Sequence, residues 1–174
     1  MVGAWQAAVV IHLVRADLRL MDAAVRGDDV LAEALGCDVA AGWATFTEAL
    51  KPTRDAIAAS PDGAAWGARF FVTGDPPELV GWGGFKGPPD DAIVELGYEI
   101  AESRRGQGLA TAATRAMLAE AFSDEAVTAV IAHTLAERNA SNHILEKLGF
   151  VLDGEVNEDD EVVWRFRLPR SVGD

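Results

Sequence analysis

The segment Glu102-Ser103-Arg104-Arg105-Gly106-Gln107-Gly108-Leu109-Ala110-Thr111 carries the densest chemical signal in this chain. Gly106 and Gly108 let the backbone approach a ligand with no Cβ in the way. An apolar-periodic stretch follows at once, so the loop opens into a helix. The first N–H groups of a helix are unpaired and carry partial positive charge. Together these features make a cradle for phosphate oxygens, and Arg104 and Arg105 add local positive charge. Three readings compete: a plain turn with solvated arginines, a dinucleotide fingerprint, and a pyrophosphate site for a coenzyme A thioester. The fingerprint needs a third glycine where Thr111 stands and an acid where the next strand ends in His133-Thr134. A Gly-Lys-Ser/Thr ending is absent. By itself the loop leans toward the third reading.

Glu95 and Glu99 interrupt an otherwise apolar stretch, Val94-Glu95-Leu96-Gly97-Tyr98-Glu99-Ile100. On a strand both point to the same face as Gly97. Burying a carboxylate is costly without a partner or a task. Each acid is therefore solvated, paired with an arginine, or a base. Asn139 and Ser141 precede a short helical stretch, and Ser141 is a natural N-cap. His12, His133 and His143 lack metal-ligand spacing, so no metal is expected. His133, late in a strand, reads as packed. Cys37 has no recognisable histidine partner and reads as a small buried apolar residue. Trp82, between Gly81 and Gly83, reads as core, with pocket lining as the sharper reading.

These residues must be held by elements. The pattern predicts a strand over 9–14, helices over 17–26, 28–35 (with Asp28 as cap) and 53–59, and a turn at 60–63. Strands over 66–73, 78–86 and 92–101 read as an antiparallel meander. A long helix follows over 108–122, then a strand over 127–133 and a helix over 141–148. Strands over 151–155 and 161–168 close the chain, joined by an acidic turn. The order describes a mixed α/β sheet in one domain spanning 1–174.

Composition limits the partners. Fifteen Lys+Arg against 28 Asp+Glu give a net charge of −13, and a nucleic-acid binder needs a basic footprint, so no nucleic acid is expected. An anionic membrane surface is disfavoured for the same reason. One cysteine forms no intramolecular disulfide. No apolar run approaches the ~20 residues of a spanning helix. The N-terminal apolar stretch lacks a basic leader and meets Arg15 and Asp17, so a signal peptide is not expected. The expected location is cytoplasmic.

Arg105-Gly106-Gln107-Gly108-Leu109-Ala110 resembles the R/Q-x-x-G-x-G/A signature of the GNAT acetyltransferase superfamily. Val94–Ile100 is similar to that superfamily's fourth strand, and Ala132–Phe150 resembles its RimJ/RimL-like branch. The resemblance implies a splayed mixed α/β (α+β) sheet of about seven strands with flanking helices. It implies an N-acetyltransferase that moves an acetyl group from acetyl-CoA to a primary amine, on a protein N-terminus or a small molecule, by direct attack in a ternary complex. It also implies roles. Arg105, Gly106, Gln107, Gly108, Leu109 and Ala110 hold the pyrophosphate. The Ile100 main chain and Asn139 hold the pantetheine arm. Glu95 is the base, directly or through water, and Ser141 lies near the thiol sulfur. The last hairpin borders the acceptor, so the stretch 153–161, with six carboxylates in nine residues, is either a solvated hairpin end or an attractor for a cationic amine.

One departure matters. Where many members have a tyrosine acid this chain has Leu145, and its only tyrosine is Tyr98. Ser141 substitutes, or the thiolate leaves unprotonated. The departure keeps open a non-catalytic CoA-thioester or acyl-ligand binding module on the same fold. A nucleotide-dependent oxidoreductase is the third alternative. Monomer and homodimer are both compatible with the sequence.

Overall fold

The computed structural model describes residues 9–60 and 64–171. β1 (His12–Arg15) leads into α1 (Leu18–Arg26). Asp17 caps that helix by accepting from the Leu20 N–H at 2.8 Å. Gly27, at φ 131°, ends α1 and is itself the cap of α2 (Asp28–Leu35). Asp28 is therefore not the cap; its carboxylate accepts from Trp43 Nε1 at 2.9 Å instead. α3 (Leu50–Ala59) starts before the expected Thr53 because Pro52 is tolerated in a first turn, where its missing N–H has no partner to lose. The expected turn after it includes residues 61–63, which lie outside the described residues.

A two-residue strand, β2 (Asp38–Val39), was not expected. The meander is present as β3 (Ala68–Thr73), β4 (Glu78–Phe85) and β5 (Ile93–Ile100). α4 (Leu109–Ala121), β6 (Ala129–Leu135), α5 (Ala140–Lys147), β7 (Val151–Glu158) and β8 (Glu161–Pro169) complete the chain. β7 runs past the expected Glu155, down to a two-residue turn at Asp159-Asp160, both at positive φ.

The strands form one eight-stranded sheet in the order β1-β3-β4-β5-β6-β8-β7, with β2 beside β4. The extra strand over the expected seven is this short β2. Each face covers a separate apolar core. Val94, Leu96 and Ile100 pack with Leu109, Met117 and Leu145 on the α4–α5 face. Phe70, Leu79 and Trp82 pack with Met21, Leu31 and Ile57 on the α1–α3 face. By strand alternation Glu95, Gly97 and Glu99 face the α1–α3 side.

The feature that positions the site is a divergence of two parallel strands. β5 pairs with β6 only over Ile93–Glu95, against Ala129–Ile131. From Leu96 onward β5 pairs with β4 alone, while β6 continues along β8 as far as Leu135. The sheet therefore opens just past Glu95. Among the described residues no helix is long and apolar enough to cross a membrane.

Candidate active site

The carboxyl ends of β5 and β6 each lead to the N-terminus of a helix. Ligands of open α/β sheets bind where such strand ends part. α4 starts on Gly108 at φ 78°, ψ 6°, and no side chain caps it. Its first N–H groups are thus left for a ligand. Gly106 is also left-handed, at φ 75°, so both positions favour glycine. A Cβ on Gly106 would meet nothing within 4 Å, and one on Gly108 only Val9 Cγ2 at 3.8 Å. The space before the loop is open, which fits a phosphate group. Leu109 is only 4% exposed, so its main chain alone faces the loop, and Ala110 is half-buried. Gln107 is exposed.

The two arginines behave differently. Arg105 Nε donates to the Ile100 carbonyl at 3.2 Å, joining two of the expected donor-binding residues. Arg104 donates through Nε and Nη2 to Glu78 at 2.7 and 2.8 Å. These hydrogen bonds hold the Glu78 carboxyl below the usual carboxylate range. The charge of Arg104, expected to serve the phosphate loop, is spent on Glu78. The loop's positive potential rests on Arg105 and the helix end.

Glu95 is 19% exposed at its side chain and lies at the point where the strands part. Lys86 Nζ, just beyond β4, contacts Glu95 Oε1. His133 Nδ1, on β6, lies 3.0 Å from the same oxygen and 2.9 Å from Glu158 Oε1 at the end of β7. His133 is therefore more than a packed residue: it joins the candidate base to the acidic hairpin. Its Nε2 is buried without a partner among the described residues. Glu95, His133 and Glu158 have the donor set of a metal site. Lys86, however, already sets a cation on Glu95, and its charge opposes a divalent ion.

Asn139, not Ser141, caps α5. Its extended backbone (φ −147°, ψ 178°) suits an N-cap. Asn139 Oδ1 accepts from the Asn142 N–H at 3.1 Å, and Asn142 Oδ1 accepts from the Asn139 N–H at 2.9 Å. Buried Asn142 also donates to Thr134 Oγ1 at 2.7 Å, tying the helix to β6. Ser141 sits inside the first turn, near the Tyr98 phenol. Burial pushes that phenol up to about 12, against a smaller lowering by Ser141 and Thr114. The Tyr98 hydroxyl forms no well-aligned hydrogen bond among the described residues. Leu145 is 1% exposed, inside the core, so it is a packing residue at the position where the resemblance implies an acid.

On the α1–α3 face a cavity of about 710 Å³ lies between α3 and the strands β4 and β5. Trp66, Trp82, Phe85 and Ile57 line it, with Glu99 at its wall. Glu99 Oε1 accepts from Trp82 Nε1 at 2.5 Å, and Oε2 from the Thr45 N–H at 2.9 Å. Glu99 is thus partnered by an indole and a main-chain N–H, not by an arginine. Trp82 is both core and cavity wall. Neither Lys86 nor Phe46, which also lines the cavity, was marked by any motif, because both come from outside the motifs. Asn142 had a legible signal, the reciprocal Asn-x-x-Asn spacing.

Residues 11–151 match the family model described as "Acetyltransferase (GNAT) domain". The uncharacterized N-acetyltransferase YjdG of Bacillus subtilis is 30% identical over 146 residues, which is 82% of this chain and 87% of that one. Mycobacterium smegmatis RimJ in complex with CoA-disulfide has the same fold, with a TM-score of 0.62, 20% identity, and 94% and 83% of the two chains covered. So does the ribosomal-protein-S5-alanine acetyltransferase of Vibrio fischeri, with a TM-score of 0.64, 13% identity, and 93% of each chain covered. A match over so much of the chain, beside a relative named for the same activity, makes this protein an acetyltransferase of the GNAT superfamily.

Proposed function

We propose that this enzyme is an N-acetyltransferase that moves an acetyl group from acetyl-CoA to a primary amine, by direct attack within a ternary complex. The observation that carries the reading is the parting of β5 and β6 just past Glu95. It opens a passage between a glycine loop on one side and a carboxylate cluster on the other. The CoA-disulfide complex of RimJ, a protein of the same fold, supports the choice of donor.

The chain's residues divide the work. The main chain of Gly106 to Ala110, the Gln107 side chain and Arg105 bind the pyrophosphate. The Ile100 carbonyl, which already accepts one hydrogen bond from Arg105, has a second lone pair for the pantetheine arm. Asn139 spends Oδ1 on the helix cap and offers its amide Nδ2 to the same arm. The donor supplies the acyl group on a good leaving sulfur. Glu95 removes a proton from the acceptor nitrogen, directly or through one water, because only the neutral amine has a lone pair for the attack. Ser141 donates a hydrogen bond where the thiolate leaves. The Tyr98 phenol beside it stays neutral at working pH and so can return a proton.

Thiol release from acetyl-CoA in the presence of amines tests this reading. Glu95→Gln is expected to lower kcat by about 10²-fold or more while acetyl-CoA still binds. Equal activity of variant and wild type across about pH 6 to 9 would show that Glu95 is not the base.

A further inference from the structure

The cavity beneath α3 has a chemistry of its own. Trp82 gives it an aromatic side, while Trp66 and Phe85, which also border it, pack their rings edge to face in the core under α4 and α5. α3 contributes Pro52, Ala56 and Ile57. Phe46 is 61% exposed and belongs to neither apolar core, yet it lines the cavity. An exposed phenyl ring at the mouth of a pocket offers apolar surface to whatever enters. Gly97 faces the same space, and a Cβ added there would meet nothing within 4 Å, so β5 leaves the cavity unfilled. A volume of about 710 Å³ lies in the ordinary range for small-molecule sites.

The charged groups of the lining are few. They are Glu99, fixed by Trp82 and Thr45, and Lys86, which contacts Glu95. Lys86 thus links the cavity to the candidate base, and apart from Lys86 and Glu99 the lining carries no charge. A hydroxyl-rich or polycationic acceptor would lose its hydration here and find few partners. An amine attached to one apolar ring would bury the ring and keep its nitrogen at the carboxylate end.

We propose that the acceptor is a small primary amine bearing one aromatic-sized apolar group, seated in this cavity with its nitrogen toward Glu95 and Glu99. The proposal rests on the reading of the enzyme as an amine acetyltransferase. It predicts selectivity that the acidic hairpin would not give.

The test compares 2-phenylethylamine, ethylamine, putrescine and alanine amide as acceptors by thiol release, with calorimetric binding of 2-phenylethylamine to the donor-free enzyme. kcat/KM for 2-phenylethylamine is expected to exceed those of the other three by about 30-fold or more. Ala56→Trp, at an exposed position on α3 that folding tolerates, fills the cavity. It should reduce the preference for 2-phenylethylamine over ethylamine at least tenfold. Faster turnover of putrescine or alanine amide would overturn the cavity assignment and leave the acetyltransferase reading intact. Binding of 2-phenylethylamine that Ala56→Trp abolishes, without turnover of any amine, would uphold the cavity and overturn the amine-transfer reading. An unchanged preference in Ala56→Trp, or no binding of 2-phenylethylamine at all, would overturn the proposal.

Discussion

Glu95 is held from two directions, by Lys86 after β4 and by His133 on β6, and Glu158 on β7 holds His133 in turn. A base fixed by its neighbours needs little reorganisation before it acts. His133→Ala should therefore cut kcat by about 10-fold and leave KM for acetyl-CoA unchanged, since the loop at Gly106–Ala110 is not touched. A matching rise in KM would mean that His133 only supports the fold. Strand alternation alone marked Glu95 as unusual. Its partners were illegible, because they come together only through the registers of four strands. Glu78 gives a second residue-scale prediction. Arg104 lowers its pKa below the ordinary 4.5, so the pair contributes stability above that pH and loses it as the pH falls through the lowered value. Glu78→Gln should lower Tm by a steady amount near neutrality, and the gap should close below pH 4.5. A gap that persists in acid would remove the ion pair as its cause.

At the scale of elements, the two helix starts carry the site. Replacing Asn142 by Ala removes half of the reciprocal cap and the bond to Thr134. The loss should be about 1–3 kcal/mol, visible as a lower denaturation midpoint with the slope unchanged. Serine is as good a cap as asparagine, which is why Ser141 looked equally suitable; the choice was made by Asn142, whose side chain answers only Asn139. Gly108→Val tests the other helix start. It strains a left-handed residue and crowds the loop, so Kd for acetyl-CoA should rise at least about tenfold. Gly36→Val, at φ 70° past the end of α2 with open space around it, carries similar strain away from the loop and should leave that Kd alone. Equal Kd values in all three proteins would move the phosphate site elsewhere. Most elements were legible because their apolar periods run long. β2 was not, since a strand of two residues has no period, and the early start of α3 was hidden by a proline that usually marks an end.

The whole molecule sets an electrostatic problem. Its net charge is −13, and the proposed donor is strongly anionic. Sequence alone assigned two arginines to offset this, but Glu78 takes one of them. The acidic hairpin is also less free than its composition suggests. Asp153 pairs with Arg165, Glu155 accepts from Trp164, and Glu158 contacts His133. Its remaining acids, Asp159, Asp160 and Glu161, are exposed. The long-range field is then repulsive to the donor, while the loop attracts it only at contact. These two ranges respond differently to salt. Raising the ionic strength from about 10 to about 100 mM shortens the Debye length from about 30 to about 10 Å. The distant repulsion is screened, whereas contacts with Arg105 and the α4 N-terminus are shorter than either length. The association rate constant for acetyl-CoA, followed by stopped flow, should therefore rise over this range, and the dissociation rate should change little. A falling association rate would mean that Arg105 and the helix ends govern the approach as well as the contact, and that the surface is polarised strongly enough to steer an anion past its own net charge.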